Sequence, residues 1–148
     1  MLILDVTTIV CIGLMVGVEF AVSAFINPVL WKLESGAQMQ TIRLFAKKLG
    51  FVMPFWYALG LLLLLVETFF RWHQHNIFLL AIASGLWVLV IILTLLFLVP
   101  INNRLARTEA SSSSDSARSE HHKWDSLHRF RILALITAMV LVLIAIVQ

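Results

Sequence analysis

The chain has 148 residues, of which 61% are hydrophobic and 13% charged, and its mean hydropathy is +0.96. Soluble domains carry about 25% charged residues, so an ordinary soluble enzyme, a disordered tail and a disulfide scaffold are excluded. Cys11 is the sole cysteine, which also excludes an intrachain disulfide and Cys-x-x-Cys redox chemistry. The net charge of +3 does not imply nucleic acid, because the basic residues lie between apolar runs rather than along one surface.

Crossing a bilayer takes about 20 apolar residues. The first candidate span covers about residues 6–30 and is interrupted by Glu19. The second covers about 51–70, with Glu67 near its end, and the third, 77–99, is uncharged throughout. The fourth is uncharged only over 132–147. Its helix extends back to Trp124, which places the span at about 127–147 and brings His128, Arg129 and Arg131 to the membrane boundary. Backbone groups in hydrocarbon must bond within their own segment, so all four runs are expected to be helical. The predicted fold is all-α, a single-domain antiparallel four-helix bundle integral to the membrane. A cleaved signal peptide competes for the first run, and the small residues at Val22-Ser23-Ala24 suit a peptidase. However, residues 1–18 contain no Lys or Arg, and Glu19 would interrupt the apolar core of a signal, so a retained helix is expected.

Loop charge predicts the orientation. Lys32, Arg43, Lys47 and Lys48 lie between spans one and two. Arg104, Arg107, Arg118, Lys123, Arg129 and Arg131 lie between three and four or at the start of four. The opposite side has only Arg71. By the positive-inside rule both long loops are cytoplasmic and both termini extracytoplasmic, with the cytoplasmic (inner) membrane as the expected location. Trp31, Trp72 and Trp124 fall near span ends, where indole rings favour the interface. Residues 108–122, with a serine-rich tract at 111–116, are expected to be a flexible cytoplasmic loop. In the shorter loop Met39, Ile42, Leu44, Phe45 and Leu49 alternate with Arg43, Lys47 and Lys48, a pattern suited to a surface helix against headgroups. Ile26-Asn27-Pro28 closes the first span and Pro100-Ile101-Asn102 the third, a hint of duplicated helical hairpins too short to establish a repeat.

Glu19 is the most informative residue. It stands thirteen positions beyond Val6, about 20 Å along a helix rising about 1.5 Å per residue, hence near mid-membrane. An ionisable group there costs at least about 2.5 kcal/mol and usually faces the bundle interior or a wet cavity. Ser23 and Asn27 follow at i+4 and i+8, so the three form one polar stripe. The bland alternative is a protonated Glu19 that joins helices through a hydrogen bond. Glu67 with Arg71 at i+4 reads as an ordinary intrahelical ion pair that reaches water.

Trp124, His128 and Arg131 share one face of the fourth helix, at i, i+4 and i+7. Histidine exchanges protons near neutral pH, arginine holds an oxyanion with a planar fork, and indole adds a flat wall and one N–H donor. An interfacial belt of Trp and basic residues explains the same face, and spacing leaves the two readings open. Arg129 points elsewhere, as a headgroup anchor. Asn102, just beyond Pro100, caps backbone groups or points inward as a ligand donor. Asn27, Asn102, His128 and Arg131 together would make a polar pocket at the cytoplasmic end. His73-x-His75 and His121-His122 lack matched metal ligands, so no metal site is assigned. Gly13, Gly17 and Ala21 read as helix-packing positions rather than a site.

These motifs have a counterpart. Asn27-Pro28 after span one, Pro100-x-Asn102 after span three and Trp124-x-x-x-His128-x-x-Arg131 opening span four resemble the anthrone oxygenase-like family of small four-helix membrane proteins, long classed as a domain of unknown function. The resemblance in organisation covers most of the chain. The tract at 111–116 departs from the more compact loop of that pattern, away from the expected pocket. Some fungal members are implicated in oxidising anthrones to anthraquinones, and most bacterial members have no established activity. The resemblance therefore implies an oxygenase acting on a polycyclic aromatic or other lipophilic small molecule, with no cofactor, metal or flavin required. An anthrone has an acidic C–H between aromatic rings, and its carbanion gives an electron directly to oxygen. In that reading His128 is the base, Arg131 and Asn102 hold the oxyanion, Trp124 is the stacking wall, and Glu19 orients the site or relays protons. Asn27 and Ser23 complete the substrate-binding wall.

Two other classes stay open on the sequence. A mid-membrane glutamate in the first of four helices resembles the small multidrug-resistance exporters, which couple protons to lipophilic cations, although those have short loops throughout. The third class is a structural or accessory subunit. The expected partners are the lipid bilayer and a lipophilic aromatic molecule, not nucleic acid, with homo-oligomerisation left open.

Overall fold

The computed structural model describes residues 1–107 and 114–147. Among these residues there is no strand, and four helices are long and apolar enough to cross a membrane. They are α1 (Leu2–Leu30), α2 (Ser35–Phe70), α3 (Ile77–Arg104) and α4 (Ser114–Val147). Short connections make α1/α2 and α2/α3 antiparallel neighbours, and α4 returns along α3 and α1. One core runs through the bundle, built from Ile12, Met15 and Val16 of α1, Tyr57 and Leu64 of α2, Leu80, Ala83 and Trp87 of α3, and Leu135, Ala138 and Val142 of α4. The protein is an integral membrane bundle in which large apolar side chains such as Phe51, Phe55, Leu62 and Leu96 cover the outside. Such a surface is stable only where hydrocarbon replaces water.

Both Pro28 and Pro100 follow a widened turn. Residues Val22–Ile26 and Thr94–Leu98 are π-helical, with the Asn27 N–H donating to the Val22 carbonyl and the Val99 N–H to the Thr94 carbonyl. A proline has no N–H to donate and its ring crowds the carbonyl four residues back. Those carbonyls, of Ala24 and Leu96, each lie inside a π segment, so the widening relieves the clash. The two helices thus share one device at the same place in each hairpin. In α2, Pro54 removes the partner of the Gly50 carbonyl without ending the helix.

Two loop expectations change. Residues 39–49 are not a separate surface helix, because α2 runs unbroken for 36 residues, about 54 Å at 1.5 Å per residue. Ile42 packs on Leu30 and Ile101, and tertiary burial keeps this segment in line with the span. Residues 114–122 of the expected flexible loop are the opening turns of α4. Glu120 there accepts from Arg104 Nε (2.9 Å) and Nη2 (2.7 Å), and His121 lies against the Trp31 ring at 4.8 Å, ties that a serine-rich composition does not reveal. The rest of the serine-rich tract, 108–113, lies outside the described residues.

At the end of the bundle that holds the α2–α3 turn, Arg71 donates to Asp5 Oδ1 (2.6 Å), Glu67 Oε2 (3.2 Å) and Gln74 Oε1 (3.2 Å). This pair does not reach water as expected, for the Glu67 side chain is fully buried and Asp5 joins from α1. Burial opposes the charge on Arg71, but hydrogen bonds to Asp5 and Glu67 outweigh it and raise its pKa above the ordinary arginine value. The contact also places the N-terminus beside the α2–α3 turn, opposite the end that bears Lys47, Lys48 and Arg129.

Candidate functional site

Glu19 is 3% exposed and holds the middle of a cluster drawn from all three other helices of the bundle. Tyr57 of α2 donates its hydroxyl to Glu19 Oε1 at 2.8 Å. Arg131 of α4 donates Nη2 to Glu19 Oε2 at 2.6 Å and to His128 Nδ1 at 2.8 Å, while Nη1 reaches Thr94 Oγ1 of α3 at 3.4 Å. Guanidinium only donates, so His128 Nδ1 is the accepting nitrogen and the ring proton sits on Nε2. Nε2 in turn donates to the Glu19 backbone carbonyl at 3.2 Å. His128 Nδ1 is also 3.3 Å from Glu19 Oε2. Arg131 lies 5.7 Å from the Tyr57 ring centre, a cation–π contact, and keeps one unpartnered donor, Nε.

The local sequence explains this convergence. Trp124, His128 and Arg131 recur on one face of α4, so the Trp124 indole stacks on His128 at 4.5 Å with the planes 17° apart. The stack continues to His121 at 6.1 Å and 8°. Trp87 of α3 donates its indole N–H to the Tyr57 carbonyl at 3.0 Å, which fixes the turn of α2 that carries the phenol. Removing two charges from water is expensive, and each partner here supplies the other's compensation.

Beside the cluster is a cavity of about 370 Å³. Glu19, Tyr57, Thr94, Asn102, Trp124, His128 and Arg131 contribute its polar wall, and the rest is apolar, including Val22, Met53, Pro54, Leu61, Leu95 and Leu98. That size and that balance, a few polar groups on an apolar wall, are typical of small-molecule sites. Asn102 lines the cavity, but its amide N–H also donates to the Ala46 carbonyl at 3.1 Å. Asn27 lies in a neighbouring space of about 50 Å³ and donates to Asp125 Oδ1 at 2.6 Å. Asp125 also pairs with Arg129 at 2.8 Å. Ser23 is half-buried and lines neither space. It lies within the π segment, where the α-helical i+4 spacing that put it under Glu19 no longer applies.

Two members of the site escaped the sequence reading: Tyr57 and Thr94. Tyr57 is the only tyrosine in the chain and sits in mid-span, and that singularity was its available signal. Among the described residues, no three His, Cys, Asp or Glu side chains gather in a group able to hold a metal ion.

Comparison with known proteins bears on the region that carries most of this site. No curated protein and no solved structure matches the chain. A sequence model of the family described as anthrone oxygenase matches residues 42–141, a segment with Tyr57, Thr94, Asn102, Trp124, His128 and Arg131 inside it and Glu19 outside it. With about two thirds of its length so matched, the chain belongs to the anthrone oxygenase family.

Proposed function

We propose that the protein is a cofactor-independent oxygenase that uses dioxygen to convert a lipophilic, anthrone-like aromatic to its quinone. The observation that carries this reading is the convergence of Glu19, Tyr57, His128 and Arg131 on one wall of an otherwise apolar cavity. A carbanion route needs an acceptor for one proton, donors for the resulting oxyanion and a dry space of aromatic size.

In the proposed sequence, His128 Nδ1 takes a proton from the methylene between the rings. Arg131 first has to leave Nδ1, and a developing enolate oxygen draws its guanidinium across the cavity. Asn102 is the second oxyanion donor and Trp124 the flat wall. The carboxylate of Glu19, 3.3 Å from Nδ1, then stabilises the imidazolium. The carbanion passes one electron to dioxygen, and the radical pair joins in a C–O bond. The peroxide takes the proton back from His128. Loss of water, which removes the second methylene hydrogen and the outer oxygen, leaves a carbonyl. In sum, CH2 and O2 become C=O and H2O.

The test is oxygen uptake and quinone absorbance with 1,8-dihydroxyanthrone and the protein in lipid nanodiscs, above the autoxidation seen in empty discs. His128→Ala is expected to lower kcat about 10²–10⁴-fold, the range for loss of a positioned base. A parental rate in that variant removes His128 from the base role, and a parental protein no faster than empty discs overturns the oxygenase reading.

A further inference from the structure

The route into the cavity is set by how α2 and α3 meet. Among their contacts, a glycine of α2 lies against α3 on either side of the cavity. A Cβ added to Gly60 would stand 2.5 Å from Trp87 Cζ2, and one added to Gly50 would stand 3.0 Å from Asn102 Nδ2. Between these contacts Pro54 interrupts the hydrogen bonding of α2 and the Thr94–Leu98 segment of α3 is π-helical. The two helices part there. Pro54 and Ala58 on one side and Leu95 on the other are exposed, yet they line the same cavity as His128 and Arg131.

Travel along the bundle axis is restricted, by packed side chains toward Arg71 and to the neighbouring space of about 50 Å³ toward the basic end. The fully buried Trp87, Leu64 and Leu80 fill the interior toward Arg71. Toward the basic end, Leu30, Ile42 and Ile101 pack together with Ile26 and Trp124. A separate recess bearing Arg43, Lys47 and Asn103 lies at that end, and it meets the cavity only at Gly50, Val99 and Asn102. The flank around the gap carries Phe51, Phe55, Leu62 and Leu96, all exposed, so it faces hydrocarbon.

We infer that the gap between α2 and α3, framed by Pro54, Ala58 and Leu95, is a lateral window through which the substrate enters from the bilayer rather than from water. The occupant it suits is a flat, uncharged, membrane-dissolved aromatic with a hydroxyl or carbonyl oxygen on its leading edge. Its apolar body slides between helices without meeting water, and the oxygen arrives first at Arg131 and Tyr57. A permanently charged molecule is refused, because the window offers no group to replace its hydration. This inference rests on the oxygenase reading for the occupant's chemistry, while the window itself is tested by binding alone.

The experiment measures retention of 1,8-dihydroxyanthraquinone by the full chain in liposomes, against protein-free liposomes, with anthraquinone-2-sulfonate as the charged competitor. Ala58→Trp and Leu95→Trp, which fill the window, are expected to weaken binding about tenfold or more, whereas the lipid-facing Leu62→Trp and Ile92→Trp stay within about twofold. Added lipid should lower occupancy by diluting the probe in the bilayer, and the sulfonate should not compete. Parental binding in both window variants, or equal competition by the sulfonate, overturns the lateral route. Loss of binding in Asn103→Trp with Ala58→Trp unaffected places the entrance at the basic recess instead and also overturns it. Window-dependent binding without anthrone oxidation leaves the window standing and removes only the oxygenase. Oxidation that is indifferent to the window variants does the reverse.

Discussion

Arg131 supplies the positive charge for a carboxylate that has almost no water. It reaches Glu19 at 2.6 Å, and the same Nη2 caps the lone pair of His128. Arg131→Met should therefore cost about 3–5 kcal/mol, the range for leaving one member of a buried pair alone, read as a fall in the unfolding midpoint in detergent. Tyr57→Phe removes only a neutral donor to Glu19 Oε1 and should cost about 1–3 kcal/mol by the same measurement. An Arg131→Met protein as stable as the parent would mean that Glu19 has another source of compensation. Glu19, His128 and Arg131 were legible in the sequence because charge within an apolar span is rare and helical spacing aligns the latter two. Tyr57 was not, since a tyrosine in an apolar run reads equally well as packing.

At the scale of the element, irregular turns shape the site. The widened turns at Val22–Ile26 and Thr94–Leu98 give Pro28 and Pro100 room, and they alter which side chains face inward. This is why Asn27 turns to Asp125 and Ser23 lines neither cavity, although an ideal helix would stack both under Glu19. Gly60 sets the approach of α2 to α3, because the Trp87 ring occupies the space of a side chain. Gly60→Ala should push a fully buried indole and cost about 1–3 kcal/mol, measurable as a lower unfolding midpoint. Gly50→Ala meets only the amide end of Asn102 at 3.0 Å and should cost less. The prolines were visible in the sequence, whereas the π turns were not. Their hydrogen-bond shift depends on neighbouring helices accepting a wider turn.

Across the whole molecule, buried ion clusters join distant parts of the chain at two levels. Asp5, Glu67 and Arg71 tie α1 to the α2–α3 turn, and Glu19 with Arg131 ties α1 to α4. Surface pairs do not share this duty. Arg71→Met strands a fully buried Glu67 and should cost about 3–5 kcal/mol, against less than about 1 kcal/mol for Arg104→Ala, whose 2.7 Å pair with Glu120 is open to water. Equal losses in the two variants would contradict that division. Composition and periodicity alone determined the class and the helices: four apolar runs in hydrocarbon have no other way to satisfy their backbone. They also brought forward Glu19, as an ionisable group within an apolar span, and the His128–Arg131 face, for which an interfacial belt stayed open as the other reading. Tertiary structure alone decided the rest: that Tyr57 and Thr94 complete the cluster, that Glu67 is sealed from water, and that α2 and α3 separate beside the site. Those outcomes depend on helices brought together across long sequence separations, and a pattern within one helix carries no record of what packs against it.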